Sequence, residues 1–373
     1  MSHRKPPAKD ESILIVGAGV FGLSTALALK QRGYQHVTVV DRYLPPVVDG
    51  SSVDISRVIR VDYADPLYGK MAKEAHQGWL TEYKDTYYES GFVMICDSAG
   101  SSYIDQAMEV NKSTGNKLDV YQDARRVTDR YPSIPSNFDS NHKAYVNEGG
   151  GWADAEKSIH LLSLKCSHAG VSFITGPRGK VVSLLRSSDS RRVVGVKVAH
   201  GEPILASQVI LSTGAWTNRL LPVAHATTAS GQPVGFIQLT EEEAAPLREM
   251  PVIINLSTGV FCFPPTPGTN ILKIARHGYG FATSVSVQDE NNARTRIVSS
   301  PKLDSNNIDR SYLTDDAEKG LRDGLRQLVP QFADHVWMNR RFCWYSDTPE
   351  GDFIVDYHPR VEGLFLATAG AGQ

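Results

Sequence analysis

Four groups of residues have types and spacings that could do chemistry. Gly17-Ala18-Gly19-Val20-Phe21-Gly22 is a GxGxxG string; such glycines permit a tight turn and let backbone N–H groups approach a pyrophosphate at a helix N-terminus. Asp41 follows 19 residues after Gly22, close to the roughly 20 at which a carboxylate can accept hydrogen bonds from a ribose diol. Arg57 and Arg60 stand three apart in Ser56-Arg57-Val58-Ile59-Arg60. By type alone they read as ordinary solvated arginines, but the intervening Val58 and Ile59 give them an apolar context, in which Arg can bind a carboxylate bidentately. Lys273 and His277 stand four apart, and a lysine between apolar neighbours reads first as an edge or snorkelling residue. Cys343, in Arg341-Phe342-Cys343-Trp344-Tyr345, is either a buried free thiol or a nucleophile.

The elements that must position these groups are legible in part. Residues 13–16 are β-favouring, Leu23, Ala26 and Leu27 recur at helical spacing up to Gly33, and residues 37–40 form a second apolar run. The chain therefore opens with a βαβ unit around the glycine string, which indicates a bound dinucleotide. Leu67, Met71, Ala75 and Trp79 fall on one face of an expected helix, and a glycine run at 149–151 precedes a helix ending near Ala169. Strands are expected at 171–174, 194–198 and 209–211. Short β-like runs broken by Pro and Gly between 232 and 287 suggest an antiparallel sheet. A helix capped by Thr314 carries Leu321, Leu325 and Leu328 on one side and is closed by Pro330.

Composition sets the outer bounds. The 373 residues carry 39 Lys+Arg against 41 Asp+Glu, a formal charge of −2, which gives no general electrostatic reason to hold nucleic acid or an anionic membrane. At 41% hydrophobic and 21% charged the chain can build a sizeable core over two or three domain-sized units, and disorder, collagen and coiled coil are excluded. No run approaches the roughly 20 apolar residues of a membrane span, so a soluble intracellular protein is expected. Cys96, Cys166, Cys262 and Cys343 lie far apart without CxxC spacing, so neither a disulfide framework nor a zinc site is expected.

The glycine string does not separate FAD from NAD, since both carry an ADP half. Taken together, GAGVFGLSTALALKQRG, the Asp41-Arg42 pair, SSVDISRVIR, ILSTGAW and CWYSDTPEGDFIVDYHP with LFLATAGAG resemble the D-amino-acid-oxidase-type flavoprotein superfamily. Within it they are similar to the monomeric sarcosine oxidase / N-methyltryptophan oxidase family, especially its fungal oxidases of sarcosine, pipecolate, saccharopine or fructosyl amino acids. The resemblance runs from Ile13 to Gly372 and is thinnest at 95–145 and 280–310.

What the resemblance implies is specific. The FAD cradle would run from Val16 through Gly17, Ala18, Gly19, Val20, Phe21 and Gly22 to Asp41 and Arg42, then take in Ser51, Ser52 and Arg57. Val181 resembles the family's backbone contact to adenine; Gly214, Ala215 and Trp216 follow a strand, and Gly370 and Gly372 lie in the terminal glycine turn. Arg57 would lie beside the flavin ring and Arg60 would bind the substrate carboxylate. Lys273 would activate oxygen through a water near flavin N5, and His277 would face the substrate. Cys343 matches a cysteine bonded covalently through sulfur to the flavin 8α-methyl group. Two departures are visible: Val53 replaces the family's histidine, and Phe261 aligns with its tyrosine.

The expectation is an α/β protein, α+β overall, with a Rossmann-like FAD domain (13–90, 147–222, 338–373) after a polar tail (1–12), and an antiparallel-sheet substrate domain (91–146, 223–337). The expected activity is FAD-dependent oxidation of a secondary amine or an N-substituted or cyclic amino acid, with hydride passing from the α-carbon to flavin N5. An imine and hydrogen peroxide would result, in catabolism or in biosynthesis of a tailored metabolite. The partners expected are a small-molecule amine and O2, with no metal, nucleic acid or membrane, in a monomer. The terminal LFLATAGAGQ reads as a strand and glycine turn after which the family continues with a segment that supplies a second lysine, so a truncated C-terminus is expected. The compartment would be cytoplasmic, or peroxisomal if an address lies in the missing segment. An NAD-dependent dehydrogenase, or a flavin-binding protein without turnover, remains the alternative.

Overall fold

A computed structural model describes residues 6–371 apart from 100, 135–136, 139–140, 224, 290–293 and 303–311. Its first sheet follows from the opening βαβ unit. Ser12–Val16 pairs in parallel with His36–Val40 on one side and Gln208–Leu211 on the other. Ser172–Ile174 and Leu364–Thr368 extend the two sides in parallel, and Ile354–Tyr357 closes one edge antiparallel. Alternation decides which face each residue serves. Ile13 and Ile15 pack with Leu23 and Ala26 of helix Val20–Gln31 and with Ile159 and Leu162 of helix Ala155–His168. Leu14 and Val16 point the other way, onto Leu184, Val193 and Val196 of the three-stranded sheet Val181–Arg186, Val193–Val198, Ile204–Leu205.

The second large sheet has nine strands among the described residues and is antiparallel except where Val252–Asn255 runs parallel to Phe92–Cys96. Near one end of it Thr228–Gln238 pairs with Ile271–Arg276 on one side and with Asn339–Asp347 on the other. Asn339–Asp347, expected among the cofactor-binding segments, is thus joined to this sheet by a register running from Thr228↔Asp347 to Phe236↔Asn339. Ile237, Leu272 and Ile274 face the helix Asp315–Leu328, whose Leu321, Leu325 and Leu328 are fully buried. Thr314 caps that helix by accepting from the Ala317 N–H. Residues of the opposite parity, among them Val234, Phe236, Ala275 and Cys343, form a separate small cluster on the other face.

Helix Pro66–Leu80 forms where the apolar spacing predicts one, and Asp65 caps it. The apolar stripe is not its buried face, however: Leu67 and Met71 are 63% and 45% exposed, and Ala75 is exposed too. Gly69 is buried instead, and a Cβ there would run into the Val110 side chain. Close approach to helix Ser101–Ser113 at a small residue has overridden the apolar stripe. Accordingly Leu325→Ala should lower unfolding stability by about 2–5 kcal/mol, whereas Leu67→Ala should change it by less than about 0.5 kcal/mol. Denaturant unfolding followed by circular dichroism measures both.

Candidate active site

A large cavity of about 1710 Å³ joins the two sheets. That exceeds the roughly 300–1,000 Å³ of an ordinary small-molecule pocket, leaving room for an extended cofactor together with a substrate. One end is the turn at the C-terminal edge of the parallel sheet. Gly17 has φ +110°, and a Cβ there would collide with the Ser212 carbonyl; a Cβ on Gly22 would collide with the Gly17 carbonyl. Both glycines let strand, turn and helix close up, so that Gly17, Gly19, Val20 and Phe21 border open space.

Asp41 lies at the cavity wall and accepts from the Ala18 N–H at 2.8 Å. Burial raises its pKa, partly offset by that N–H and by Arg42. Arg42 pairs with Asp49 at 3.0 Å and lies 5.3 Å from the Trp216 ring centroid. Ser52 Oγ accepts from the Val20 N–H at 2.9 Å, tying the following loop to the helix start. Val16, Ser51, Val181, Gly214, Ala215 and Gly370 also line the cavity. Ala18 and Gly22 do not appear in its wall; they bond to Asp41 and permit packing. Gly372 lies outside the described residues. The donor set fits a dinucleotide. Buried Trp216 Nε1 and Ser212 Oγ have no protein hydrogen-bond partner although both residues line the cavity, and helix Val20–Gln31 has no side-chain cap at Gly19.

The other end is built by the large sheet and the small sheet that holds Arg57–Ile59 against Gly151–Ala153. Cross-strand register puts Lys273 opposite Phe236, Arg341 opposite Val234, and Cys343 opposite Gln232. All these residues share one face, the face turned away from helix Asp315–Leu328. Lys273 is 1% exposed; its Nζ lies 3.0 Å from Asp54 Oδ2, donates to the Ser56 carbonyl and sits 4.6 Å from the Phe263 ring centroid. Burial pushes the ammonium down to about 7, while Asp54 opposes the fall. Arg57 donates to Asp54, to the Ser51 carbonyl at 2.8 Å and to Cys343 Sγ at 3.1 Å.

Arg60 is held differently. Its guanidinium donates to the backbone carbonyl of Asp62, lies 3.4 Å from the Tyr103 hydroxyl and stacks 4.3 Å from the Tyr63 ring centroid. The Asp62 carboxylate is engaged elsewhere, by Asn147 at 2.9 Å and Asn111 at 3.2 Å. Arg60 therefore reaches the cavity without a carboxylate bonded to it. His277 lines the same space, its ring 5.6 Å from that of Tyr345. Burial, then Arg60, lowers its pKa. Asp347 is also at the wall, with a pKa raised by burial, and accepts from Ser230.

The structure thus brings Arg57, Arg60, Lys273, His277 and Cys343 to one cavity with the glycine turn. The sequence reading missed Asp54, Arg341, Tyr103 and Asp347. Asp54 stands three residues before Arg57, and Arg341 two before Cys343 on the same face of a strand. Period 2 could have found Arg341, but only the fold places Asp54 beside Lys273. Cys96, Cys166 and Cys262 are buried free thiols within apolar clusters, as expected. Among the described residues no helix is long and apolar enough to cross a membrane. The cradle geometry predicts that Gly17→Ala keeps the native circular dichroism but weakens FAD binding at least about tenfold, since even a small strain of about 1.4 kcal/mol is tenfold in affinity. Titration of the apoprotein with FAD by flavin fluorescence measures it.

Comparison with known proteins fits this geometry. The chain is 31% identical to the L-saccharopine oxidase of Schizosaccharomyces pombe over 379 residues, spanning 98% of this chain and 86% of that protein. It is 23% identical to the monomeric sarcosine oxidase of an Arthrobacter species, spanning 98% and 88%. Among solved structures, the fructosamine oxidase of Aspergillus fumigatus (Amadoriase II) superposes with a TM-score of 0.83 at 28% identity, covering 98% of this chain and 83% of that one. The family model for FAD-dependent oxidoreductases, DAO, matches residues 12–373, which decides between FAD and a pyridine nucleotide. A glycine turn, an acid at the wall and a cluster of cations in one cavity fit such a cofactor, and the chain belongs to the DAO family of FAD-dependent oxidoreductases.

Proposed function

We infer that the chain oxidises a secondary amine, an N-substituted or cyclic amino acid, at the carbon next to nitrogen, giving an imine that hydrolyses or cyclises. The observation that carries this reading is the convergence of a free-facing guanidinium, Arg60, with Lys273 and His277 in the cavity that holds the glycine turn. The names of the relatives, oxidases of saccharopine and sarcosine, support the substrate class. The name of the bacterial relative supports a single chain as the catalytic unit.

Bound here, FAD supplies the hydride acceptor and then the two electrons that turn O2 into hydrogen peroxide. The residues of the chain supply position and charge. Arg60, fixed by the Asp62 carbonyl and the Tyr63 ring, takes the substrate carboxylate. His277, its pKa lowered by burial and Arg60, is neutral near pH 7 and can accept a hydrogen bond from the amine without adding charge. Phe92, Met94, Phe261 and Phe263 wall the space and exclude water around the reacting carbon. Lys273, drawn toward its neutral form by burial and held charged by Asp54, presents its ammonium where negative charge develops as oxygen is reduced. Arg57, in contact with Cys343 Sγ, stabilises the negative charge a nucleophilic sulfur carries, which favours a covalent link between Cys343 and the flavin. Segments 13–90, 147–222 and 338–373 serve mainly the cofactor and 91–146 with 223–337 the substrate; strand Asn339–Asp347 serves both, since it carries Cys343 within the large sheet.

A visible spectrum of the purified protein before and after anaerobic addition of sarcosine, pipecolate, saccharopine or fructosyl-lysine tests the reading. Bleaching of the flavin band by one of them is expected, and no bleaching by any would sink it. In stopped flow, Lys273→Met should slow reoxidation by at least about 100-fold, the magnitude typical of removing one oriented electrostatic contact, and slow reduction far less. Acid precipitation should leave the yellow chromophore on the pellet; its complete release would exclude the Cys343 bond.

A further inference from the structure

Asp54 is the feature of this region that neither the motif nor the mechanism uses. It comes from the loop after the first βαβ unit and does not line the cavity. Its side chain is 1% exposed, yet three cations from three strands converge on one of its oxygens. Arg57 Nη1, from Arg57–Ile59, is in direct contact; Lys273 Nζ, from Ile271–Arg276, and Arg341 Nη2, from Asn339–Asp347, each lie 3.0 Å from Oδ2. Oδ1 accepts the Ile55 N–H at 2.8 Å. Arg341 is absent from the cavity wall, whereas Arg57 and Lys273 belong to it.

We propose that Asp54 is the positioning residue of the oxidative site, the one buried carboxylate that fixes Lys273 and Arg57 toward the flavin and decides how much positive charge they present there. The proposal rests on the reading of Lys273 as the oxygen-facing cation. Three cations gather on one anion, and two of them, Arg57 and Lys273, belong to the cavity wall. Arg341, outside the wall, competes with Lys273 for the same oxygen. The groups that act on the Lys273 ammonium are therefore few: Asp54 favours its charge, and Arg57 and Arg341 oppose it. Cys343 and Tyr345 act on Arg57, and Arg60 and Asp347 act on His277, the next inward-facing position after Lys273 and Ala275. Burial alone would drive the ammonium to its neutral form; the carboxylate resists this, and its own pKa is held below the usual carboxylate range by Lys273, Arg57 and Arg341 despite burial.

Opposite substitutions should then act in opposite directions. FAD-loaded protein is prepared with 13C-labelled lysine, and the Lys273 CεH2 resonance is identified by its absence from Lys273→Met. Asp54→Asn should lower the pH midpoint of that resonance by about 1–3 pH units, as expected for losing an opposite charge in contact. Arg341→Met should raise it, and Asp54→Glu should restore most of the native value. The pH at which flavin reoxidation falls should follow the same order. A midpoint unmoved in Asp54→Asn, or moved in the same direction by Asp54→Asn and Arg341→Met, overturns the proposal. If Asp54→Asn does not fold, Arg341→Met decides alone, and an unmoved midpoint there overturns it. Unimpaired reoxidation in Lys273→Met would instead defeat the reading of Lys273, and the NMR midpoints would still report on Asp54.

Discussion

Positive charge has to be kept away from water at the seam between two sheets, and the rest of the site is arranged around that demand. An ammonium or guanidinium taken out of solvent costs several kcal/mol unless it finds partners. Lys273 is buried almost completely, and its partners are an oxygen of Asp54, the Ser56 carbonyl and the face of Phe263. Two of those three come from the loop that follows the first βαβ unit. The same loop returns to the turn through Ser52, which accepts from Val20 at the start of the helix. Cofactor cradle and cationic wall are therefore tied by one short stretch of chain.

Arg60 shows the contrasting solution. The nearest acid, Asp62, has no exposure and is occupied by the amides of Asn111 and Asn147. Arg60 is held by a backbone carbonyl and aromatic faces, and the Asp62 carboxylate acts on it through its charge without bonding to it. A guanidinium treated this way keeps its attraction for an incoming carboxylate, while one tied to a carboxylate, as Arg57 is, contributes mainly a local field. Two arginines three residues apart thus do different work because their acids are differently engaged.

The large sheet turns this local chemistry into a site by its two-sidedness. One parity of its strands buries Leu272, Ile274 and Ile237 under helix Asp315–Leu328; the other carries Lys273, Ala275, Arg341, Cys343 and Gln232 toward the seam. The apolar side holds the strands in register, and register is what sets the spacing of the charged side. A slip of one residue would exchange the two sides, sending Lys273 into the helix interface and Leu272 into the cavity.

Much of this was legible before any coordinates. The βαβ unit, the glycine turn, Asp41 and the capped C-terminal helix are local features, dictated by periodicity and by the special backbone needs of glycine, and the structure has them where the residues put them. Lys273 and Cys343 could be singled out only through resemblance, since each by type reads equally well as a buried structural residue. The apolar stripe of helix Pro66–Leu80 does not mark its buried face, because Gly69 permits a closer crossing than a leucine stripe does. The sequence by itself determined the opening βαβ unit with its glycine turn and the capped helix Asp315–Leu328 with its apolar side. Only the tertiary structure decided that Asp54, Lys273 and Arg341, separated by up to 287 residues, share one oxygen, because contacts between strands distant in the chain depend on sheet order and register, which local pattern does not encode.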